Sequence, residues 1–161
     1  MPHLNPQTQC HCPCNKTQFE VSTLPKIRFY CHCEICQQVY QKPYSDFVVV
    51  WESAIKLPKQ GISFNTYKKP PALQRGICES CHKPVAGLLT LLPGIKIAFI
   101  PSDNYSDPSQ LPESSGHLFY HRRRADSDDH LPKHNGYWTS EWAVSASIFS
   151  NLMLSRSKLT P

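Results

Sequence analysis

Eight cysteines in three tight clusters constrain this chain of 161 residues more than any other feature. The clusters have the spacings C-x-C-x-C, C-x-C-x-x-C and C-x-x-C, and they contain, in turn, Cys10, Cys12 and Cys14; Cys31, Cys33 and Cys36; and Cys78 and Cys81. Thiolates this close in sequence can converge on one metal ion, and zinc takes four ligands in a closed structural site. Two clusters can combine to close a site, whereas the middle cluster offers three ligands and leaves one coordination position open. Seven of the eight cysteines therefore fit a scheme with two zinc ions.

Disulfide bonds are the alternative use of these cysteines. A secreted disulfide protein with this many cysteines is usually shorter and starts with a signal peptide. The first residues of this sequence contain neither a basic nor an apolar segment. Cysteines one residue apart also cannot readily bridge each other, because disulfide geometry is demanding. The sequence therefore favours zinc and predicts a reducing, cytoplasmic location.

Charge and hydropathy argue against two classes of partner. The net charge of +5 is mild, and the densest basic run, residues 121–124, is followed at once by Asp126, Asp128 and Asp129. These charges cancel, which predicts a salt-bridged surface rather than a nucleic-acid-binding patch or an acidic metal site. No apolar run approaches the ~20 residues of a membrane-spanning helix. Neither nucleic acid nor a membrane is therefore an expected partner.

The residue pattern predicts strands and loops. Short runs rich in β-branched and aromatic residues alternate with turn residues, and fifteen prolines argue against helical repeats. Strands are predicted at 17–21, 27–30, 46–51, 62–67, 85–92, 95–100 and 116–121. The two strands on either side of Pro93 and Gly94 should form a hairpin. With no internal repeat or linker, residues 1–161 are expected to form one domain.

A short helix is predicted near the C-terminus. Ser140 and Glu141 are expected at its start, because serine is a favourable N-cap residue. Four apolar residues would then share one face: Trp142, Ala146, Phe149 and Met153. We expect this face to pack in the core, and the alternative is a contact in a homodimer.

In order and spacing, the motifs resemble those of the glutathione-dependent formaldehyde-activating enzyme family, which also includes centromere protein V. The family opens with C-x-C-G, matched by Cys12 to Asn15, and this register leaves Cys10 as a spare cysteine. Its C-H-C-x-x-C motif matches residues 31–36, its aromatic-C-x-x-C-G motif matches residues 77–82, and its D-x-L-P element matches residues 129–132. The chain departs from the family at Asn15, Ile77 and His82. The resemblance covers about residues 10–137 and leaves 138–161 as a C-terminal extension.

The resemblance implies an all-β, zinc-binding fold of the β-tent type, built from antiparallel sheets. It also implies two zinc ions per chain, one structural and one catalytic. The implied structural ligands are Cys12, Cys14, Cys78 and Cys81. The implied ligands of the catalytic zinc, which are also the candidate catalytic residues, are Cys31, Cys33 and Cys36. Pairing the first cluster with the last would close a loop of about 64 residues and stabilise the fold.

An open three-cysteine site suits thiol chemistry. Three thiolates donate more charge to zinc than three histidines and weaken its power to acidify water, so a soft ligand such as a substrate thiolate is favoured. The resemblance implies glutathione as this thiol, and a carbon–sulfur lyase that forms or cleaves S-hydroxymethylglutathione, the adduct of glutathione and formaldehyde. Two alternatives stay open: a non-catalytic carrier of glutathione or another small thiol, and a zinc-stabilised protein-interaction module. A mechanism in which one of the three cysteines leaves the metal and acts as nucleophile also stays open.

Histidines near the clusters are secondary candidates. His32 lies between two cysteines, and because successive residues of an extended turn point apart, its side chain should face away from the metal. His11 and His82 are adjacent to cysteines and could complete a site. His117 and Tyr120, on the last predicted strand, could line the pocket.

Overall fold

The computed structural model describes residues 7–67 and 73–154, and within them ten strands form two sheets. The strands are β1 Thr8–His11, β2 Gln18–Val21, β3 Ile27–Cys31, β4 Ser45–Trp51, β5 Ile55–Lys56, β6 Ile62–Thr66, β7 Gln74–Cys78, β8 Pro84–Leu92, β9 Ile95–Pro101 and β10 His117–Leu118. Two α-helices, α1 Glu34–Tyr40 and α2 Tyr137–Ile148, complete the fold, and a π-helical segment, Phe149–Met153, continues α2. The last seven residues of the expected C-terminal extension, 155–161, lie outside the described part.

The sheets are antiparallel apart from one short pair. A small sheet has the order β1-β2-β5, and a large sheet has the order β10-β3-β4-β9-β8-β7-β6, in which only β10 and β3 run parallel. The predicted mainly β fold is therefore confirmed, and so is the hairpin of β8 and β9. Gly94 in its turn has a φ of 82°, a left-handed conformation that glycine adopts without strain.

Two cores lie on opposite faces of the large sheet. Successive side chains of a strand point to opposite faces, and β4 shows the consequence. Its Val48 and Val50 belong to one buried cluster together with Cys12 and Cys78. Its Phe47 and Val49 belong to a second buried cluster, which contains Cys31 and Cys36. Each face of the sheet thus fixes a different group of cysteines.

The strand predicted at 116–121 is mostly wrong. Only His117 and Leu118 pair with β3, because Phe119 takes a left-handed φ of 52° and turns the chain out of the sheet. Residues Tyr120–Arg122 form a 3-10 turn instead. Alternation of apolar and polar residues alone could not reveal this single change of backbone conformation.

Helix α2 begins three residues earlier than predicted. Gly136 precedes the helix with a φ of 104°, which favours glycine, so the helix starts at Tyr137 and not at Ser140. Ser140 is fully buried inside the helix. Its Oγ accepts a hydrogen bond from the backbone N–H of Phe119 at 2.8 Å and donates one to the carbonyl oxygen of Gly136 at 2.7 Å. The serine therefore fixes α2 to the end of β10.

The helix face that packs in the core is not the predicted one. Trp142 is 76% exposed and Phe149 is 58% exposed, whereas Ile148 and Leu152 are buried in the core with Cys31. The sequence of the helix contains two apolar stripes, and periodicity alone cannot decide which one meets the sheet. The expectation of core packing for Trp142 is therefore wrong, and the homodimer contact stays a prediction. Within the described residues, no helix combines the length and apolar character that crossing a membrane requires.

Truncation of side chains on the two stripes should have unequal effects. Ile148→Ala should lower the free energy of unfolding by about 2 kcal/mol or more, because it leaves a cavity under the helix. Trp142→Ala, on the exposed stripe, should change it by about 0.5 kcal/mol or less. Urea denaturation of both variants measures the difference. A larger loss for Trp142→Ala would mean that the aromatic stripe is the buried one.

Candidate metal centres

Four cysteines from the first and last clusters converge at one point. The sulfur atoms of Cys12, Cys14, Cys78 and Cys81 all lie within 4.8 Å of one another. Cys12 Sγ is 3.3 Å from Cys14 Sγ and 3.6 Å from Cys78 Sγ. Sulfurs bound tetrahedrally to zinc at ~2.3 Å are separated by about 3.8 Å. The arrangement therefore fits a closed four-cysteine zinc site.

Hydrogen bonds from Thr17, immediately before β2, support these sulfurs. Its backbone N–H donates to Cys12 Sγ at 3.4 Å, and its Oγ1 donates to Cys78 Sγ at 3.3 Å. Burial raises the pKa of the Cys78 thiol, but hydrogen bonds from Thr17 and the backbone N–H groups of Cys81 and Ser80 outweigh burial and lower that pKa to about 6. Donors of this kind orient metal ligands and favour the thiolate form.

The two turns that carry these cysteines share an unusual backbone conformation. Asn15 and His82 each follow a cysteine, and their φ values are 63° and 57°, in the left-handed region. The N–H of Asn15 donates to the carbonyl oxygen of Cys12, and that of His82 donates to the carbonyl oxygen of Cys78. The glycine of the family pattern is therefore replaced here by residues that must adopt a conformation most side chains avoid. Asparagine tolerates it better than histidine, because its short polar side chain can hydrogen-bond locally.

The second cluster lies where β3 passes into α1. Cys31 ends β3, Cys33 is the N-cap residue of α1, and Cys36 lies in its first turn. The three sulfurs lie within 4.8 Å of one another, and Cys33 Sγ accepts a hydrogen bond from the N–H of Cys36 at 3.3 Å. No fourth cysteine, histidine or carboxylate in the described part of the chain joins them. This donor set fits a zinc site with one open position.

Arg75 adds a positive charge to this cluster. Its Nη2 lies 3.9 Å from Cys36 Sγ, and its guanidinium group also lies over the ring of Tyr67. Hydrogen bonds from the thiols of Cys31 and Cys33 hold the pKa of Cys36 well below its usual value, and the charge of Arg75 lowers it further. Arg75 could not be predicted from the sequence, because β7 reaches Cys36 only through the folding of the large sheet.

A cavity of about 330 Å³ opens beside the three cysteines. Strands β4, β7, β8 and β9 form its floor, while α1 and α2 form its sides. The cysteines, Arg75 and Glu141 contribute polar atoms, and most of the lining is apolar. The three cysteines of the second cluster therefore border a space large enough for a small organic molecule.

The histidines next to the cysteines belong to neither the four-cysteine group nor the three-cysteine group. As expected, His32 faces away: its Nε2 is 2.8 Å from His117 Nδ1, and His117 Nε2 is 2.8 Å from Asp129 Oδ2. Burial lowers the pKa of His32 to about 4, so its ring is neutral near pH 7. His11 instead donates from Nδ1 to the carbonyl oxygen of Cys12. His82 occupies the left-handed position in the turn that follows Cys81.

The expectation that His117 and Tyr120 line the pocket is wrong. Neither contributes to the cavity wall, because β10 pairs with β3 so that His117 packs against His32. Tyr120 packs edge-on to both histidine rings. Asp129 is the unexpected residue here, since it anchors a chain of hydrogen bonds that passes through His117 and ends at the ring of His32, the residue between Cys31 and Cys33. By contrast, Asp126 is a surface residue that pairs with Arg123.

Fold and sites together define a mainly β protein with two cysteine centres suited to metal. The profile of the glutathione-dependent formaldehyde-activating enzyme family matches residues 7–122, which is most of the chain. The protein therefore belongs to this family. A crystal structure of a Rhodobacter sphaeroides protein has a similar fold, with a TM-score of 0.52, 13% sequence identity, and coverage of 66% of this chain and 96% of that chain. No curated protein gives a significant match.

Glycine at position 82 should stabilise the protein. A left-handed residue other than glycine costs ~1–2 kcal/mol, and the greater freedom of glycine in the unfolded chain takes back ~0.5–1 kcal/mol. His82→Gly should therefore raise the free energy of unfolding of the metal-loaded protein by about 0.5 kcal/mol. Denaturant unfolding measures this change.

Lys83 provides the matched control, since it is not among the residues with positive φ. Lys83→Gly should lower the free energy of unfolding, because glycine gains nothing there. Equal losses in both variants would show that the conformation of residue 82 carries no strain.

Proposed function

We propose that the protein is a zinc-dependent carbon–sulfur lyase-type enzyme, which forms and cleaves the adduct of a thiol with a small electrophile. The thiol is glutathione or a similar small thiol, and the electrophile is formaldehyde or a related compound. The observation that carries this proposal is the three-cysteine cluster, which faces a cavity and gains no fourth ligand from the described residues. Membership of a family of glutathione-dependent formaldehyde-activating enzymes supports the same chemistry.

In this proposal the four-cysteine group and the three-cysteine group have separate roles. Cys12, Cys14, Cys78 and Cys81 hold a structural zinc ion. Cys31, Cys33 and Cys36 hold a second zinc ion, which supplies a site where a thiol sulfur is kept as the thiolate. We place this chemistry in the cytoplasm, because reduced cysteines persist in a reducing compartment.

The residues around the three-cysteine cluster act on the thiol sulfur and on the electrophile. The positive charge of Arg75 favours negative charge on sulfur near Cys36. The apolar walls exclude water from the sulfur and from the electrophile. The lone pair of the thiolate forms the C–S bond with the carbonyl carbon, and the carbonyl oxygen takes up the proton that the thiol released. Cleavage is the reverse of these steps, and proximity supplies much of the rate enhancement.

Two alternative functions would use structural features of the same protein. A thiol carrier would use the same cluster and cavity without turnover. A protein-interaction module, or a homodimer, would use the exposed aromatic residues of α2, of which Trp138 is 82% exposed and Trp142 is 76% exposed. The cavity beside the cysteines favours the enzyme, because an interaction module gains nothing from it.

Turnover is tested directly with the zinc-loaded protein, glutathione and formaldehyde. Exchange between free glutathione and its hydroxymethyl adduct, followed by saturation-transfer NMR, should be faster with protein than without it. Cys33→Ser should abolish the acceleration, because it removes a ligand at the open site. Thiol binding without acceleration would contradict the enzyme and favour the carrier.

Substitutions in the two clusters should separate their roles. A structural zinc ion contributes ~10 kcal/mol or more, which is comparable to the whole stability of a domain, ~5–15 kcal/mol. Cys78→Ser should therefore unfold the protein, whereas Cys33→Ser should retain the fold and lose one zinc. Cys10→Ala is the control: Cys10 is buried in β1, belongs to neither the four-cysteine nor the three-cysteine group, and should be dispensable for zinc. Elemental analysis and thermal melting measure these outcomes, and normal melting of Cys78→Ser would contradict the structural role.

A further inference from the structure

We propose that the electrophile is an aldehyde with an apolar arm, and that helix α2 forms the wall of the pocket that selects it. The proposal rests on the function proposed above and specifies its substrate class. Three observations carry it: the size of the cavity, the chemistry of its lining, and the part of the chain that supplies α2.

The cavity is too large for formaldehyde alone. Its volume is about 330 Å³, whereas a molecule of the size of water occupies ~30 Å³ in the liquid. Formaldehyde is only slightly larger than water, so it would leave most of the cavity without a partner. Unfilled space of this kind contributes nothing to binding or orientation. The volume therefore suits a bulkier molecule next to the cysteines.

The lining of the cavity suits an apolar group. The lining includes Phe47, Leu89 and Phe99 of the sheet, Phe119 just after β10, and Val144 and Ile148 of α2. Glutathione carries two carboxylates and one ammonium group, and such charges bind tightly only where the site offers partners. Arg75 and Glu141 are the charged residues of the described lining, and Glu141 already interacts with another part of the chain. The apolar interior is thus left for the other reactant, because burial of apolar surface is favourable.

Helix α2, which supplies this wall, lies outside the residues that the family profile matches. The family profile ends at residue 122, and every α2 residue in the lining, including Val144 and Ile148, lies beyond that point. The hydrogen bond between Ser140 and Phe119 fixes the helix over the cavity. Packing of Ile148 and Leu152 against the core that contains Cys31 and Cys36 holds its second half. The segment outside the family match therefore determines the shape of the pocket beside the cysteines.

The reaction needs no further reagent. The thiolate sulfur of the thiol forms a bond to the aldehyde carbon, the carbonyl π electrons move to oxygen, and oxygen takes the proton that the thiol gave up. The product is a hemithioacetal, RS–CH(OH)R′, in which R′ is the apolar arm. The reverse reaction breaks the C–S bond and returns the thiol and the aldehyde.

The test compares aldehydes that differ in chain length. The zinc-loaded full chain is assayed with glutathione and formaldehyde, butanal or hexanal, and kcat/KM for hemithioacetal formation is measured above the uncatalysed rate. Because one methylene in an apolar pocket changes kcat/KM by ~10-fold or more, hexanal should exceed formaldehyde at least about tenfold. Preference for formaldehyde over hexanal would overturn the inference and leave the proposed function intact. No turnover of any aldehyde would overturn the proposed function, and the inference with it.

Variants of α2 test the wall itself. Val144→Phe places a larger side chain in the cavity and should lower kcat/KM for hexanal by about tenfold or more, which removes the preference for hexanal over formaldehyde. Ala146→Phe is the matched control, because Ala146 is exposed and outside the lining. Ser145→Phe, at an exposed position that also contributes to the lining, serves if Val144→Phe fails to fold. Unchanged preference in the cavity variants, or its equal loss in Ala146→Phe, would overturn the role of α2.

Discussion

The convergence of the first and last cysteine clusters is the constraint on which the rest of the structure depends. Cys12 and Cys14 lie in the turn between β1 and β2 of the small sheet, while Cys78 ends β7 of the large sheet. A metal ion bound by all four sulfurs would join the two sheets and close the loop between Cys14 and Cys78, which are 64 positions apart in sequence. Left-handed turns at Asn15 and His82 present the sulfurs, so backbone strain occurs where the metal would offset it.

Strand β4 separates this centre from the proposed chemistry. Because its side chains alternate, one face of the large sheet packs around the four-cysteine centre and the other packs around the three-cysteine cluster. Changes to the cavity beside Cys36 can therefore leave the four-cysteine centre intact. Helix α2 lies on the side of the three-cysteine cluster, where it shapes the cavity without contributing a sulfur ligand.

The sequence predicted features that depend on local pattern, and it missed those that depend on long-range packing. The run of β-branched and aromatic residues in β4 and the turn at Gly94 were sufficient to predict their strands. Helix α1 was missed, since its seven residues are too few for a clear helical period. The predicted core face of α2 was wrong, because the helix carries two apolar stripes and either one could have packed against the sheet. Spacing also could not pair Cys12 with Cys78, and that pairing came from the family resemblance alone.

The zinc content of freshly purified protein, determined by elemental analysis with and without glutathione, distinguishes a closed from an open cysteine site. We expect two zinc ions per chain, of which one becomes labile to a chelator, or changes spectroscopically after cobalt substitution, when glutathione is added. The other ion should be indifferent to the thiol, because four cysteines complete its coordination. A single tightly bound zinc that does not respond to glutathione would contradict the open three-cysteine site.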